Sequence, residues 1–401
     1  MSNRKGLRGI ATLYVGHMAG TIDLAALPLW IGVLMAHYGL APEQAGLTVT
    51  LFLGGIVVMS TILAPRFDRL SPRWIAFAGF CAGALCFSWA WSLPVAPSSF
   101  GKLLAIHGVA GLCVGSALSM VHGSIGRTEN PHRHFGLANV MVGVLAVLMF
   151  AFLPGEIAAY GGQVVFMAFV VIMAIGAGAI ALFFPEQTMQ GQDAADEAGV
   201  EAKSGAGRVP IVAYLTIAAV VCLMLNQSMV FAFIERIAAT RGFDSSQVQI
   251  LLVLLGFINL MPGVLAVLLQ RRLPALAVGI AGVFTQAALA LTLTNATVFN
   301  AFAAPTLFYA SIVLFTHTFL FGVLSRLDPS GRAVAATPAM MMTGAALGPA
   351  LGGAIVAIIG FEGLGWATFC FSAIAAALLM AVKRNLSHRK HLVATRPAHS
   401  S

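Results

Sequence analysis

Charge is the scarcest property of this chain. Asp, Glu, Lys and Arg make up 9% of its 401 residues and hydrophobic residues 59%, whereas a soluble domain carries about 25% charged residues. That balance excludes a soluble globular enzyme and points to a polytopic membrane protein. A phosphate-binding glycine loop is also missing, which excludes ATP-driven transport by this chain alone. No metal-protease, serine-hydrolase or haem motif is present. The five cysteines, Cys81, Cys86, Cys113, Cys222 and Cys370, form no Cys-x-x-Cys pair and no His–Cys set with metal spacing. They read as small apolar fillers. No metal, no cofactor and no catalytic residue is expected. The net charge of +8 is no nucleic-acid footprint, because the basic residues are spread over short loops and the C-terminal tail.

Apolar length is what the chain has in quantity. Segments of spanning length, about 20 residues per crossing, fall at 10–35, 45–65, 74–94, 102–125, 135–154 and 163–184. They resume at 210–234, 247–269, 274–294, 298–324, 334–359 and 364–382. The opening Asn3-Arg4-Lys5-Gly6-Leu7-Arg8 precedes a run too long for a signal peptide, so it is read as leading into a first uncleaved span. The acidic stretch Pro185–Val209 reads as a flexible cytoplasmic linker. The expected organisation is a six-helix half over 1–184, a linker over 185–209, a second half over 210–383 and a tail over 384–401.

Charge placement supports this count. With the N-terminus inside, the inner segments hold Arg4, Lys5, Arg8, Arg66, Arg69, Arg73, Arg127, Arg133, Lys203, Arg208, Arg271, Arg272, Arg326, Arg332, Lys383, Arg384, Arg389, Lys390 and Arg396. Only Lys102, Arg236 and Arg241 fall outside, as the positive-inside rule requires. Both termini are therefore expected in the cytoplasm, and the membrane is expected to be the cell inner membrane. The halves also repeat. Arg127-Thr-Glu129-Asn-Pro-His-Arg133 after span 4 matches Arg326-Leu-Asp328-Pro-Ser-Gly-Arg332 after span 10. Glu43-Gln44 then Gly54 in span 2 matches Ser246-Gln247 then Gly256 in span 8. This suggests two related six-helix halves in parallel arrangement.

The polar residues inside the spans are few and grouped. Asp23 reads as the only carboxylate deep in an apolar segment, where an acid costs roughly 2.5–3.5 kcal/mol or more. His17 shares span 1 with it, His107 and His122 lie on span 4, and His317 lies on span 10. Span 7 carries Asn226-Gln227-Ser228. Polar groups on spans 1, 4, 7 and 10, the first helix of each three-helix unit, suggest a shared central cavity that water reaches. Asp23 shares a helical face with Gly16, Ala19, Gly20, Leu27 and Trp30. In span 4, His107, Gly111, Gly115, Ser119 and His122 form a narrow stripe. Such stripes also arise from helix packing through small residues alone, and both readings stand at this point. A carboxylate near histidines could load and release a proton.

The loop Ala64-Pro65-Arg66-Phe67-Asp68-Arg69-Leu70-Ser71-Pro72-Arg73-Trp74 resembles the signature of the major facilitator superfamily between spans 2 and 3. Asp68, Arg69 and Arg73 match it; Ala64 and Ser71 replace its glycines, and Pro72 an arginine. The resemblance implies an all-α fold of twelve transmembrane helices in two pseudo-symmetric halves. It also implies that this loop steadies one conformation of an alternating-access cycle, with Asp68 at the following helix N-terminus. Two departures matter. His107 stands where proton-coupled members often carry arginine. The drug-exporter pattern Gly-Pro-x-x-Gly-Gly is absent from span 5 and occurs in span 11 as Gly348-Pro349-Ala-Leu-Gly352-Gly353, where a helix bend and close packing are expected.

These readings favour a secondary transporter of a small organic solute, coupled to protons and working in uptake. The proton and solute would be met by Asp23, His17, His107, His122, Asn226, Gln227 and His317. The expected partners are the solute, the proton and the lipid bilayer, with no nucleic acid, and the protein is expected as a monomer. Proton-antiport efflux and a non-transporting assembly or receptor role on the same fold are the alternatives. An integral-membrane enzyme would need an acid–base cluster at one membrane face, which the loops do not offer.

Overall fold

The computed structural model describes residues 2–128, 131–185, 210–327 and 337–394. Among these it holds twelve helices long and apolar enough to cross a membrane. They are Arg8–Ala36, Pro42–Leu63, Pro72–Ser92, Pro97–Gly126, Arg133–Tyr160 and Val164–Phe183. Then follow Ile211–Thr240, Ser245–Ala266, Ala275–Asn295, Phe299–Leu324, Met340–Ile359 and Glu362–Ser387. Numbered in order, these are spans 1–12. The architecture is all-helical because hydrocarbon leaves backbone groups no partner outside the segment. The start of span 1 and the ends of the even-numbered spans lie on one face, called here the termini face. The other is the far face.

Helix ends follow local chemistry. Ser71 precedes span 3 and Pro72 opens it, where a missing N–H costs nothing. Asp244 caps the start of span 8 by accepting from the Gln247 N–H at 3.0 Å. The bonds from Ser246 and Gln247 hold its carboxyl below its ordinary value. Four glycines take positive φ: Gly39, Gly161, Gly242 and Gly360, a conformation that costs glycine little. They turn the far-face loops after spans 1, 5, 7 and 11, so they fall in equivalent pairs in the two halves. Gly161 and Gly360 are separated as Arg127 and Arg326 are.

Packing repeats the same symmetry. Span 4 packs on spans 1, 2 and 3, and span 10 packs on spans 7, 8 and 9. Span 6 packs on spans 1 and 3, and span 12 on spans 7 and 9. The halves meet where span 2 lies on span 11, span 5 on span 8, and the far-face end of span 1 on that of span 7. Glycines set the closest approaches. Gly46 faces the Pro349 carbonyl, and Gly353 faces the backbone of Pro42 and Glu43.

Pro349 has a specific consequence. Lacking an N–H, it leaves the Ala345 carbonyl without its helical donor. The Ser228 hydroxyl of span 7 supplies that bond at 2.7 Å. One residue on, the Thr50 hydroxyl of span 2 donates to the Ala346 carbonyl at 2.6 Å and accepts from the Ala350 N–H at 3.0 Å. The expected bend and close packing of Gly348–Gly353 are thus accompanied by polar ties to spans on both sides.

One detail differs from the sequence reading. Span 7 runs on to Thr240, so Glu235 and Arg236 lie within the helix rather than in a loop. The final helix continues past span 12 to Ala394, so the start of the expected tail is helical. Residues 186–209 of the expected linker lie outside the described residues.

Two substitutions test this packing. A Cβ at Gly111 would overlap the Phe52 backbone of span 2, whereas nothing lies within 4 Å of one at Gly108. Gly111→Val should lower thermal stability of the detergent-purified protein by about 1–3 kcal/mol or block folding, while Gly108→Val should be neutral. Ser228→Ala strands the Ala345 carbonyl and should cost about 1–3 kcal/mol, seen as a lower midpoint in the same thermal melt. Ser228→Thr should restore most of it.

Candidate functional site

Span 1 is broken. A regular helix ends at Gly20, Thr21 takes φ −121° and ψ 35°, and a second helix runs from Ile22 to Ala36. The Thr21 hydroxyl folds back onto the His17 carbonyl at 2.8 Å. Asp23 sits in the first turn of the second piece, where free N–H groups and the helix dipole favour negative charge. Its carboxylate interacts with the backbone N–H groups of Asp23 and Leu24. It is 3% exposed, and Oδ1 is buried with no hydrogen-bond partner.

The residues around it are arranged differently from the sequence expectation. Gly16 and Gly20 press against Val121 and Leu118 of span 4, and Ala19 meets Gly176 of span 6. This small-residue face is a packing seam inside the first half and not a cavity wall. The neighbouring Leu24 is the one exposed residue over 12–35. Spans 2, 4, 5, 6 and 7 pack on the two pieces of span 1, so little else of it is open. Asp23 lies one residue behind Leu24. In span 4 the small-residue stripe is likewise a seam, with Gly111 and Gly115 on Phe52 and Ile56 of span 2.

Two of the four histidines come together. His17 Nδ1 lies 2.8 Å from His122 Nε2, and His17 Nε2 lies 3.3 Å from Asn139 Oδ1. With Asn139 Oδ1 as terminal acceptor, His17 donates through Nε2 and accepts at Nδ1 from His122. Each nitrogen-to-nitrogen bond needs one lone pair, so both rings cannot be fully protonated. Close by on the termini-face side, the Tyr14 hydroxyl meets His134 Nδ1 at 2.6 Å. Phe135 stands edge-on to both rings of the pair. No group of three or more His, Cys, Asp or Glu among the described residues could hold a metal ion. The arrangement is a hydrogen-bonded chain of two imidazoles ending on an amide. At ~1.5 Å rise per residue it lies about 9 Å from Asp23 along the axis.

The other sequence candidates are engaged elsewhere. His107 is fully buried among Trp30, Phe87 and Phe166. It accepts from Trp30 Nε1 at 3.2 Å and donates from Nδ1 to the Leu103 carbonyl at 2.7 Å. That fixes a neutral ring with both nitrogens satisfied, remote from the histidine pair. Asn226 falls as far along span 7 as Asp23 does along span 1, but its Nδ2 turns into the second half toward Ser372 Oγ at 3.1 Å and the Thr368 carbonyl at 3.4 Å. Tyr309 donates to the Asn226 carbonyl at 2.8 Å. Gln227 keeps Oε1 buried and unpaired. His317 bonds its own helix through the Val313 carbonyl at 2.9 Å and packs on Phe321.

In the loop between spans 2 and 3, Ala64–Arg69 form a 3₁₀ turn. Asp68 lies in this turn, before the start of span 3 at Pro72, and its side chain lies outside the described set. Arg69 is exposed. Arg73 donates to the Ala181 carbonyl of span 6 and lies over the Trp74 ring. Phe67 fills the space beside Gly123, with the Arg127 guanidinium 4.5 Å over its ring.

Sequence reasoning missed three groups. Asn139 is a lone amide in span 5, visible in principle as a polar interruption. The Tyr14–His134 pair joins residues 120 apart in sequence, which no local pattern signals. Glu235 was placed in a loop because the apolar run ends at Ile234. It lies in the first turn of the second piece of span 7, Ile234–Thr240.

Comparison with known proteins agrees with this geometry. No curated protein matches the chain by sequence. The solved D-xylose–proton symporter superposes with a TM-score of 0.71 at 14% identity, covering 94% of this chain and 97% of that one. The nucleoside transporter NupG gives 0.68 at 12% identity, with 94% and 99% coverage. The human organic anion transporter MFSD10 gives 0.62 at 14%, again with 94% and 99% coverage. At such identities these likenesses concern the fold. A sequence model described as Major Facilitator Superfamily matches residues 13–329. The chain, a multi-pass membrane protein of twelve apolar helices, therefore belongs to the Major Facilitator Superfamily of solute transporters.

Proposed function

We propose that this protein is a proton-coupled symporter that imports a small organic solute across the cell inner membrane, with the termini face in the cytoplasm. The observation that carries this reading is Asp23: a buried carboxylate with an unpaired oxygen, at a helix break and next to the exposed Leu24. An unpaired charge in such a place is costly, whereas a protonated carboxyl is not. Asp23 is thus suited to hold a proton while occluded and to ionise when water enters.

The His122–His17–Asn139 chain gives a released proton a hydrogen-bonded path on the termini-face side. The basic loops on that face support a cytoplasmic orientation. Contacts such as Gly353 on Pro42–Glu43 and Glu235 on Gly32 join the halves at the far face. Rocking them apart there would admit solute, in the manner of alternating access. His317 and Gln227 are the second half's candidates for solute contact. His107 and Asn226 serve to hold their own halves rigid. The division into a first half, a linker and a second half is the unit of this rocking. The protein acts as a monomer.

The tests start from a solute found by thermal-shift screening of sugars, nucleosides and organic anions against the purified protein. In proteoliposomes with an imposed pH gradient, Asp23→Asn should reduce proton-driven uptake tenfold or more, about 1.4 kcal/mol or above in barrier terms. Solute–solute exchange should survive. Unchanged proton-driven uptake in Asp23→Asn removes the residue from coupling. His17→Gln keeps a hydrogen-bonding side chain but cannot titrate. It should slow proton-driven uptake and flatten its dependence on cytoplasmic-side pH, while His107→Gln should act on thermal stability alone.

A further inference from the structure

Glu235 occupies an unusual position. It stands on the short far-face piece of span 7 and crosses the seam between the halves. Its carboxylate fills the place a Cβ would take on Gly32 of span 1. Oε2 is buried there and has no hydrogen-bond partner. Below and beside it lies a cavity of about 270 Å³ between spans 1, 5, 7 and 8, walled mainly by apolar side chains such as Leu29, Val33, Ile157 and Leu252.

The charged groups nearby compensate it only in part. Arg236, the next residue, attracts its charge but makes no ion pair with it. Among the described residues the one ion pair is Arg241–Glu362, and Arg236 Nε is itself buried without a partner. Just past the end of span 1, His37 lines the same cavity but is exposed, and Tyr38 turns away onto Phe166 of span 6. Spans 5 and 8 present only neutral groups to the cavity, Gln249 among them, whose amide is taken by the Ala151 carbonyl. Asp244 lies beyond, exposed, at the start of span 8.

We propose that Glu235 is a second proton-binding site, built into the far-face gate, and that the gate closes on its protonated form. With the halves apart at that face, water reaches the carboxylate and it can ionise. Closure presses Oε2 onto Gly32 and strips that water. An isolated charge there is far costlier than a neutral carboxyl, so closure draws one proton from far-side water onto the carboxylate. The glycine at 32 is what lets the two helices come close enough. This role is independent of Asp23 and of the solute.

Spin labels at Tyr160→Cys and Val298→Cys, exposed positions at the far-face ends of spans 5 and 10, report the gate by pulsed electron resonance distances. They would be placed in the full chain, in lipid nanodiscs, with the native cysteines replaced. Without solute, the open-to-closed ratio should rise with pH by up to about tenfold per unit, the limit for one linked proton. Glu235→Gln should stay closed at every pH. Gly32→Ala, which puts a methyl where the carboxylate sits, should raise the open fraction even at low pH. His37→Gln should respond to pH as the parent does. A parent distribution that ignores pH overturns the proposal. So does a Glu235→Gln response equal to the parent's, or loss of the response in His37→Gln with Glu235 intact.

Discussion

In hydrocarbon, a backbone carbonyl that loses its helical donor has no water to turn to, and this constraint organises the meeting of the two halves. Pro349 creates such a carbonyl at Ala345, and Ser228 of span 7 satisfies it. The next carbonyl, Ala346, is held by Thr50 of span 2, which belongs to the other half. One weakened turn of span 11 is thereby tied to its own half and to the opposite one. The glycines around it allow the helices to approach closely enough for these short side chains to reach. The seam there is made of a few hydroxyl bonds and bare backbone contacts, none of them a large tie.

The same constraint explains where carboxylates sit. Spans 1 and 7 are both interrupted, and each carries an acid in the first turn beyond its break. A helix start offers free N–H groups and a positive dipole end, which makes an acid less costly there than at mid-helix. Neither acid is fully compensated: Asp23 and Glu235 each keep one buried oxygen without a partner. On the proposed reading, partial compensation would leave each carboxyl sensitive to water access, and therefore to conformation. Asp23 stands inside the first half, and Glu235 stands on the line between the halves.

Much of the fold was legible in the sequence. Twelve apolar runs and the alternation of Arg and Lys gave the span count, because bilayer thickness sets the length of each run and charge placement sets its phase. The repeat Arg127–Arg133 against Arg326–Arg332 was legible for the same reason, since equivalent loops obey equivalent constraints. Span ends were less so. Glu235 and Arg236 end the apolar run but not the helix, and hydropathy cannot see that a helix continues once it is buried by a partner. The loop motif pointed to the family.

The candidate site divides along the same line. Composition and the isolation of Asp23 in an apolar run by themselves determined that this is a membrane protein with one conspicuous acid in its first span, because desolvation is a property of the residue and its immediate neighbours. Only the tertiary structure decided which histidines act together. His17 and His122 share a bond, whereas His107, on the same helix as His122, is sealed among aromatic rings. It also decided between the two open readings of the small-residue stripes, which are packing seams, and brought Glu235 onto Gly32. Rotation of each helix about its axis is set by its neighbours, and a single span's pattern does not say which of its faces meets another helix and which meets water.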